Sequence, residues 1–315
     1  MTRNADFKRR VRERMARTGE SYATARVRSL PKRTLHVTNG DIVVAKLAAI
    51  GIEALAWRDA LHEGPVVKNG RELRAEFLGI DVAELEQRDR TLDAHRGEIV
   101  LWFEADLYDQ LQIAEILWRL RGSDPERISL VQIGEHIGIP HFGGLGELEP
   151  EQLRELAGVR LNEAALRVGE QAWEALMASE PHGLLRVGST PELRFMAEAF
   201  KRLAQEYPWR RDGLSLTERR LLAGAPGTKY ELFERAWRKE QRPFMGDTFA
   251  FAALRRLAPL LDDCDGVLHL NDRGERVLQG EEEFVTERWI GGVHVTPATP
   301  WRWDDAREVI TSSNG

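Results

Sequence analysis

The sequence predicts an α/β fold built on a mostly parallel sheet with helices on its faces. Three observations carry this expectation. Short apolar, β-branched runs alternate with helical patterns between residues 34 and 133. Turn residues separate them, at Asn39-Gly40, Gly51 and Gly64-Pro65. Strands that alternate with helices pair in parallel, because each helix carries the chain back across the sheet.

The elements follow in order. Residues 5–17 and 20–29 read as two short basic helices split at Gly19, with Phe7, Val11 and Met15 forming a narrow apolar stripe. Pro31 closes this arm, residues 1–33. TLHVT at 34–38 reads as a strand, NGD as its turn, and 42–50 as a helix ended by Gly51. Residues 52–57 form the next strand, and a polar, mainly helical stretch covers 71–96. Strand 98–103 (EIVLWF) leads into a strongly amphipathic helix at 107–120, and 128–133 is a further strand. This order predicts a Rossmann-like domain over 34–149. No GxGxxG follows the first strand, and NGD with its one glycine is a weak phosphate-loop signal.

A helical connector is expected over 150–211. Residues 150–157 and 162–178 read as helices, the second burying Leu166, Trp173 and Leu176 before Pro181 and Gly183 break it. A third helix over 190–206 should take Thr190 as its cap and Pro191 as its first residue. Residues 212–280 read as three helices: ERRLL after Thr217, then 228–240 and 248–258. A polar linker, a short strand and a closing helix-like segment follow in LDDCDGVLHLNDRGERVLQG. That order is compatible with a winged-helix-like domain. Its third helix carries only Arg255 and Arg256, fewer base-reading groups than DNA recognition needs, so packing between domains is the expected use. The tail, 281–315, is expected to pack back on the body through Trp301 and Trp303, with Arg302 opposite.

Composition narrows the function classes. The single cysteine, Cys264, excludes a disulfide framework within the chain and any cysteine-rich metal site, which suits a cytoplasmic protein. No apolar run approaches the roughly 18–20 residues that span a bilayer, so no membrane partner is expected. The net charge of −6 is unevenly spread. Residues 1–33 hold 11 of the 45 Lys and Arg and 3 of the 51 Asp and Glu, a net +8 against −14 for the remainder. A basic arm of this kind gains from phosphate charge, and nucleic acid is its candidate partner.

Polar groups gather just after three predicted strands. Asn39, Gly40 and Asp41 follow the first strand, which contains His36. Arg58, Asp59, His62 and Glu63 follow the second, and Glu104, Asp106, Asp109 and Gln110 follow strand 98–103. Ligands of open parallel sheets bind outside the carboxyl ends of the strands, so these loops converge on the expected crevice. Asp59, His62 and Glu63 are the candidates for acid–base catalysis. Asn39, Gly40, Asp41, Arg58 and Gln110 are the candidates for ligand binding. Asp41, Glu104, Asp106 and Asp109 form a candidate oxygen ligand set for Mg²⁺; Zn²⁺ is less favoured, because it usually needs three protein ligands, which His36, Asp59, His62 and Glu104 supply only if their loops converge. Arg58, Arg71 and Arg74 are candidates to hold a phosphate or carboxylate. Trp57 and Trp102 are expected to pack in the core. The glycine-dense loop 142–146, flanked by His136 and His141, is a candidate lid or backbone-amide anion site. No G-x-S-x-G, GK[ST], HExxH or C-x-x-C motif is present.

The segments LHVTNGD at 35–41, LAWRDALHEGPV at 55–66 and LWFEADLYDQLQIAEIL at 101–117 resemble the bacterial domain family DUF1835, whose function is unknown. DGLSLTERRLLAG at 212–224 and RPFMGDTFAFAALRRLAPLL at 242–261 resemble the DUF3658 family, often found with it. The resemblance implies architecture and no reaction. The family motifs fall on Asn39, Gly40, Asp41, Trp57, Asp59, His62, Glu63, Gly64, Pro65, Glu104, Asp106, Asp109 and Gln110. Ala105 stands where the family usually carries His or Asn. The expected activity is hydrolysis or group transfer on a nucleotide or other phosphorylated small molecule. The alternatives are a nucleic-acid-associated regulatory or defence protein that uses the arm, and a scaffold or interaction module.

Overall fold

A computed structural model of the 315-residue chain describes residues 3–29, 34–136, 139 and 142–312. In the arm, α1 (Arg3–Thr18) and α2 (Tyr22–Ser29) pack on each other and bury Val11 and Ala25 completely. Gly19, at φ +69°, turns the chain between them, in the left-handed region that glycine tolerates.

The body is an α/β unit. It runs β1 (Leu35–Thr38), α3 (Asp41–Ala49), β2 (Ala54–Ala56), α4 (Arg71–Leu78), α5 (Val82–Ala94), β3 (Ile99–Glu104), α6 (Leu107–Arg119) and β4 (Ile128–Ile133). Next come α7 (Pro150–Glu155) and β5 (Val159–Arg160), the latter antiparallel to β4. The five strands lie in the order β2-β1-β3-β4-β5, and the first four are parallel. From β1 the chain leaves for β2 on one side and later for β3 on the other. Thr38 is in register with both Ala56 and Trp102. Asn39, Arg58 and Glu104 therefore emerge at one edge.

β3 is apolar at successive positions because the sheet is covered on both faces. Leu101 and Phe103 join Leu111 and Leu117 of α6 in the main core. Trp102 faces the other way, against Val43 and Leu47 of α3 and Leu153 of α7. The expected core roles of Trp57 and Trp102 hold: both are buried. α6 is buried on nearly every side, between the sheet and α8 (Glu163–Met177). A Cβ at Gly169 of α8 would lie 2.5 Å from the Leu117 Cβ, so glycine lets the two helices approach.

The connector differs from expectation at two points: β5, within 150–211, joins the sheet, and the last helix starts late. Its last helix, α9 (Met196–Ala204), begins six residues later than the 190–206 pattern indicated. Leu193, Phe195 and Met196 are all buried. Leu193 and Phe195 would lie about 200° apart on a helix, at 3.6 residues per turn, so burying both requires turns. Thr190 still accepts a hydrogen bond from the Leu193 N–H at 3.2 Å.

The next region has its own hydrophobic cluster, around Leu221, Leu232, Leu254 and Val277. α10 (Leu216–Leu222) starts at a capping box, in which Ser215 and Glu218 bond each other's backbone N–H at 3.1 and 2.9 Å. Thr217, expected ahead of this helix, lies in its first turn and bonds Glu206. After β6 (Gly227–Thr228), α11 (Lys229–Trp237) and α12 (Asp247–Arg256) comes a second departure. The stretch expected to be a polar linker forms β7 (Leu261–Cys264), which pairs with β8 (Val267–Leu270) across Asp265-Gly266. Both turn residues have positive φ, 54° and 82°, as two-residue hairpin loops require. β7 exposes Asp262, Asp263 and Cys264, so no apolar alternation marked it as a strand. β6, β8 and β7 form a three-stranded sheet, and α13 (Asp272–Gln279) closes the region.

The tail folds back as two antiparallel hairpins, β9 (Arg288–Ile290) with β10 (Val293–Val295) and β11 (Trp301–Asp304) with β12 (Val309–Ser312). Trp303 is fully buried in the main core and Trp301 half-buried. No described helix is long and apolar enough to cross a membrane.

Arg288 ties these parts together. Buried in β9, it donates to Glu63 at 3.2 Å and to Glu206, just past α9, at 2.9 Å. Removing one partner of a buried ion pair leaves a charge without compensation, at a cost of about 3–5 kcal/mol. Arg288→Ala should lower the unfolding free energy in urea by about that amount. A loss below about 1 kcal/mol would show that Glu63 and Glu206 are compensated without it.

Candidate functional site

The carboxyl ends of β1 and β3 bring five of the sequence candidates together. Asp106 caps α6 by accepting the Asp109 N–H at 3.1 Å, which turns Asp109 back toward the end of β3. There Asp109 accepts the Glu104 N–H and two bonds from the Asn39 amide, at 2.9 and 3.1 Å. Asn39 also reaches Glu104 at 3.4 Å. The Gln110 amide donates to the Glu104 carbonyl at 2.7 Å. The result is a trio of carboxylates, Glu104, Asp106 and Asp109, with one oxygen of each within 4.8 Å of the others.

The glycine-dense loop completes this site. Leu145 donates its N–H to Glu104 at 2.6 Å. A Cβ on Gly144 would lie 2.0 Å from Glu104, and Gly144 also has φ +134°, so only glycine fits here. The loop thus uses a backbone amide on a protein carboxylate. Of its flanking histidines, His136 lies near Phe142 with tilted rings, centroids 6.0 Å apart, and His141 lies outside the described residues. A cavity lies against Glu104 and Asp106 and is lined also by Gly134, Gly144 and Arg242, while the fully buried Asp109 does not line it. Its volume is about 30 Å³. That is room for an ion or a water or two.

The electrostatics of the trio are unusual for this chain. Burial and mutual repulsion push Glu104 and Asp109 well above the usual carboxylate range. Burial raises Asp106 to about 6, against hydrogen bonds that pull it down. Among the described residues, no arginine or lysine forms an ion pair with any of the three. Several other buried acids are paired. Glu115, on the same helix, accepts from Trp57 at 2.8 Å and sits among Arg71, Arg88 and Arg119, which hold it down at about 2 against its burial. Arg202 and Arg288 hold Glu206 low in the same way.

The other sequence candidates are placed elsewhere. Asp59 is fully buried against Arg74 at 2.6 Å and Arg88 at 3.5 Å, and Glu63 pairs with Arg256 at 3.0 Å as well as Arg288. His62 is boxed by the rings of Phe249, Phe244 and Tyr108, at 5.0, 5.3 and 5.9 Å. Neither ring nitrogen has a hydrogen-bond partner, and burial, with the nearby arginines, drives its pKa down to about 3. It is neutral near pH 7. None of these three lines the cavity beside the trio. Gly40 precedes α3 in an extended conformation. Asp41 and Arg58 form an exposed ion pair at the rim. Arg71 and Arg74 are taken by protein carboxylates. Arg242 went unnoticed in the sequence because it arrives from another region, held by Glu198 at 3.0 Å and the Gly134 carbonyl at 3.2 Å.

No protein-family model matches this chain, and no curated protein matches it.

The raised pKa of Asp106 sets a pH dependence. The folded state holds this proton more tightly than the unfolded chain, so the contribution is present below about pH 4 and lost as pH rises through about 6. Asparagine caps helices as well as aspartate. Metal-free Asp106→Asn should therefore exceed the parent in stability by about 1–3 kcal/mol at pH 8 and converge with it near pH 4. Urea unfolding with a chelator present checks this. Lower stability of the variant at pH 8 would mean that the carboxylate is compensated.

Proposed function

We propose that this chain is a divalent-cation-dependent enzyme that hydrolyses or transfers a group of a phosphorylated small molecule, a nucleotide being the leading class. One observation carries the reading: three buried carboxylates that form no ion pair with an arginine or lysine among the described residues, two of which, Glu104 and Asp106, line a cavity at the carboxyl edge of a parallel sheet. We read the order β2-β1-β3-β4 as Rossmann-like, which puts the trio at the point where the chain's direction across the sheet reverses. Ligands of such sheets bind there. The succession α10, β6, α11, α12 and the β7–β8 hairpin is read as winged-helix-like, in line with the DUF1835 and DUF3658 resemblances.

The donor set fits a hard cation. It offers oxygen alone, which favours Mg²⁺ over Zn²⁺. Glu104 and Asp109 are assigned as ligands. Asn39 and the Leu145 N–H orient them. When bound, the cation polarises a phosphoryl oxygen or lowers the pKa of a water. Asp106, which lines the cavity beside Glu104, is assigned as the general base. Arg242, on the cavity wall, is placed to pair with a substrate phosphate. The cavity is small beside a nucleotide, and Gln241, Arg242 and Pro243 line one side of it.

The acid–base roles expected of Asp59, His62 and Glu63 pass to Asp106 in this account. The nucleic-acid alternative rests on the arm, because α12 is engaged with the body through Arg256 on Glu63 and Phe249 on His62.

Phosphate release or group transfer should appear with Mg²⁺ on at least one member of a panel of nucleotides and sugar phosphates. Asp106→Asn should lower turnover by about 10²–10⁴-fold while retaining Mg²⁺ binding. No turnover across the panel, or equal turnover in the variant, would remove the assignment.

A further inference from the structure

The proposed reaction makes no use of the basic arm, yet the arm is a built structure. Gly19 turns the chain in the left-handed region. The Thr18 hydroxyl donates to the Arg14 carbonyl at 2.9 Å, and Ser21 caps α2 by accepting the Thr24 N–H at 3.2 Å. Arg14 and Glu20 form an ion pair across the turn at 3.0 Å. Val11 and Ala25 are completely buried, yet neither joins the hydrophobic clusters of the body. The two helices thus use their apolar positions on each other and turn charge outward.

That charge exceeds what the arm can neutralise. Arg9 pairs with Glu13 of its own helix at 3.8 Å. Lys8, Arg12 and Arg17 are exposed and form no ion pair among the described residues. Residues 1–33 hold 3 acids against 11 bases, so internal pairing leaves an excess of eight positive charges. Residues 8–17 alone carry six bases and one acid, a net +5. At 1.5 Å per residue this is about one positive charge per 3 Å, close to the one phosphate per roughly 3.4 Å along a nucleic-acid strand. Nine of the 11 bases are arginine, whose planar fork pairs with two phosphate oxygens at once.

The partner follows from what the arm offers and what it lacks. Firm seating in a membrane surface takes an apolar face to insert, and the arm has turned its own inward. A protein interface takes an apolar centre. A phosphate backbone takes charge alone. The net −14 of the remaining chain repels the same polymer and confines contact to the arm. We propose that the α1–α2 pair binds the sugar–phosphate backbone of nucleic acid without reading its sequence. Such binding is independent of the cation site.

Fluorescence anisotropy of the full-length protein with a short labelled DNA duplex tests the proposal. Between about 50 and 200 mM salt, log K should fall linearly with log salt, with a slope of about −3 to −5 for three to five phosphate contacts. A duplex of scrambled sequence should bind equally. The double variant Lys8→Gln, Arg12→Gln keeps good helix formers and removes two outward charges. It should flatten the slope by about 2 and weaken binding about 10- to 100-fold at the lowest salt. Arg90→Gln, exposed on α5, should leave both unchanged. Absence of binding at about 50 mM salt, an unchanged slope in the double variant, or equal affinity for phosphatidylserine vesicles would overturn the proposal. So would self-association of the protein alone that the double variant abolishes, because the arm would then belong on the acidic body of a second copy.

Discussion

The structure turns on how it treats charge along one buried helix. α6 carries Asp109 and Glu115 into the interior and is capped by Asp106, so all three carboxylates leave water when the chain folds. A buried charge is tolerated when it is paired and hydrogen-bonded. At Glu115 the protein meets that condition fully, with three arginines and an indole. At the opposite end it supplies an amide side chain and backbone N–H groups and, among the described residues, no cation. Two acids on one helix therefore have opposite electrostatics, and the difference lies in what the surrounding elements bring to each.

The rest of the architecture follows from holding that helix in place. The sheet packs against one side and α8 against another, at a distance set by Gly169. The arginines that serve Glu115 come from α4 and α5 as well as α6, which explains why so polar a stretch of chain lies against the core. Arg288 and Arg256 bring the tail and α12 onto Glu63. Arg242 brings the loop before α12 to the edge of the cavity beside the trio. The C-terminal region is thus positioned by ion pairs to the body, and the same contacts wall the candidate site.

Much of this was legible in the sequence. Apolar runs and their spacing located the parallel strands and their helices, because a sheet covered on both faces needs apolar residues at successive positions. The acids at strand ends pointed to the edge where Glu104, Asp106 and Asp109 gather. What the sequence did not separate was paired from unpaired acid. Asp59 and Glu63 look like Glu104 and Asp106 until Arg74, Arg256 and Arg288 come in from 15, 193 and 225 residues away. His62 looked like a proton carrier, yet Phe244 and Phe249 seal it from a distant segment. β7 escaped notice because it exposes its polar side chains, although Asp265-Gly266 marked the turn beside it. The late start of α9 had a tertiary cause, the joint burial of Leu193 and Phe195.

The account rests on a cation taking the place that arginine takes elsewhere in the core. Titration calorimetry of chelator-treated protein with Mg²⁺ at pH 7.5 measures this directly. The parent should show a saturable site that Glu104→Gln abolishes and Asp41→Asn, at the exposed rim, retains. No saturable binding in the parent, or undiminished binding in Glu104→Gln, would contradict the account.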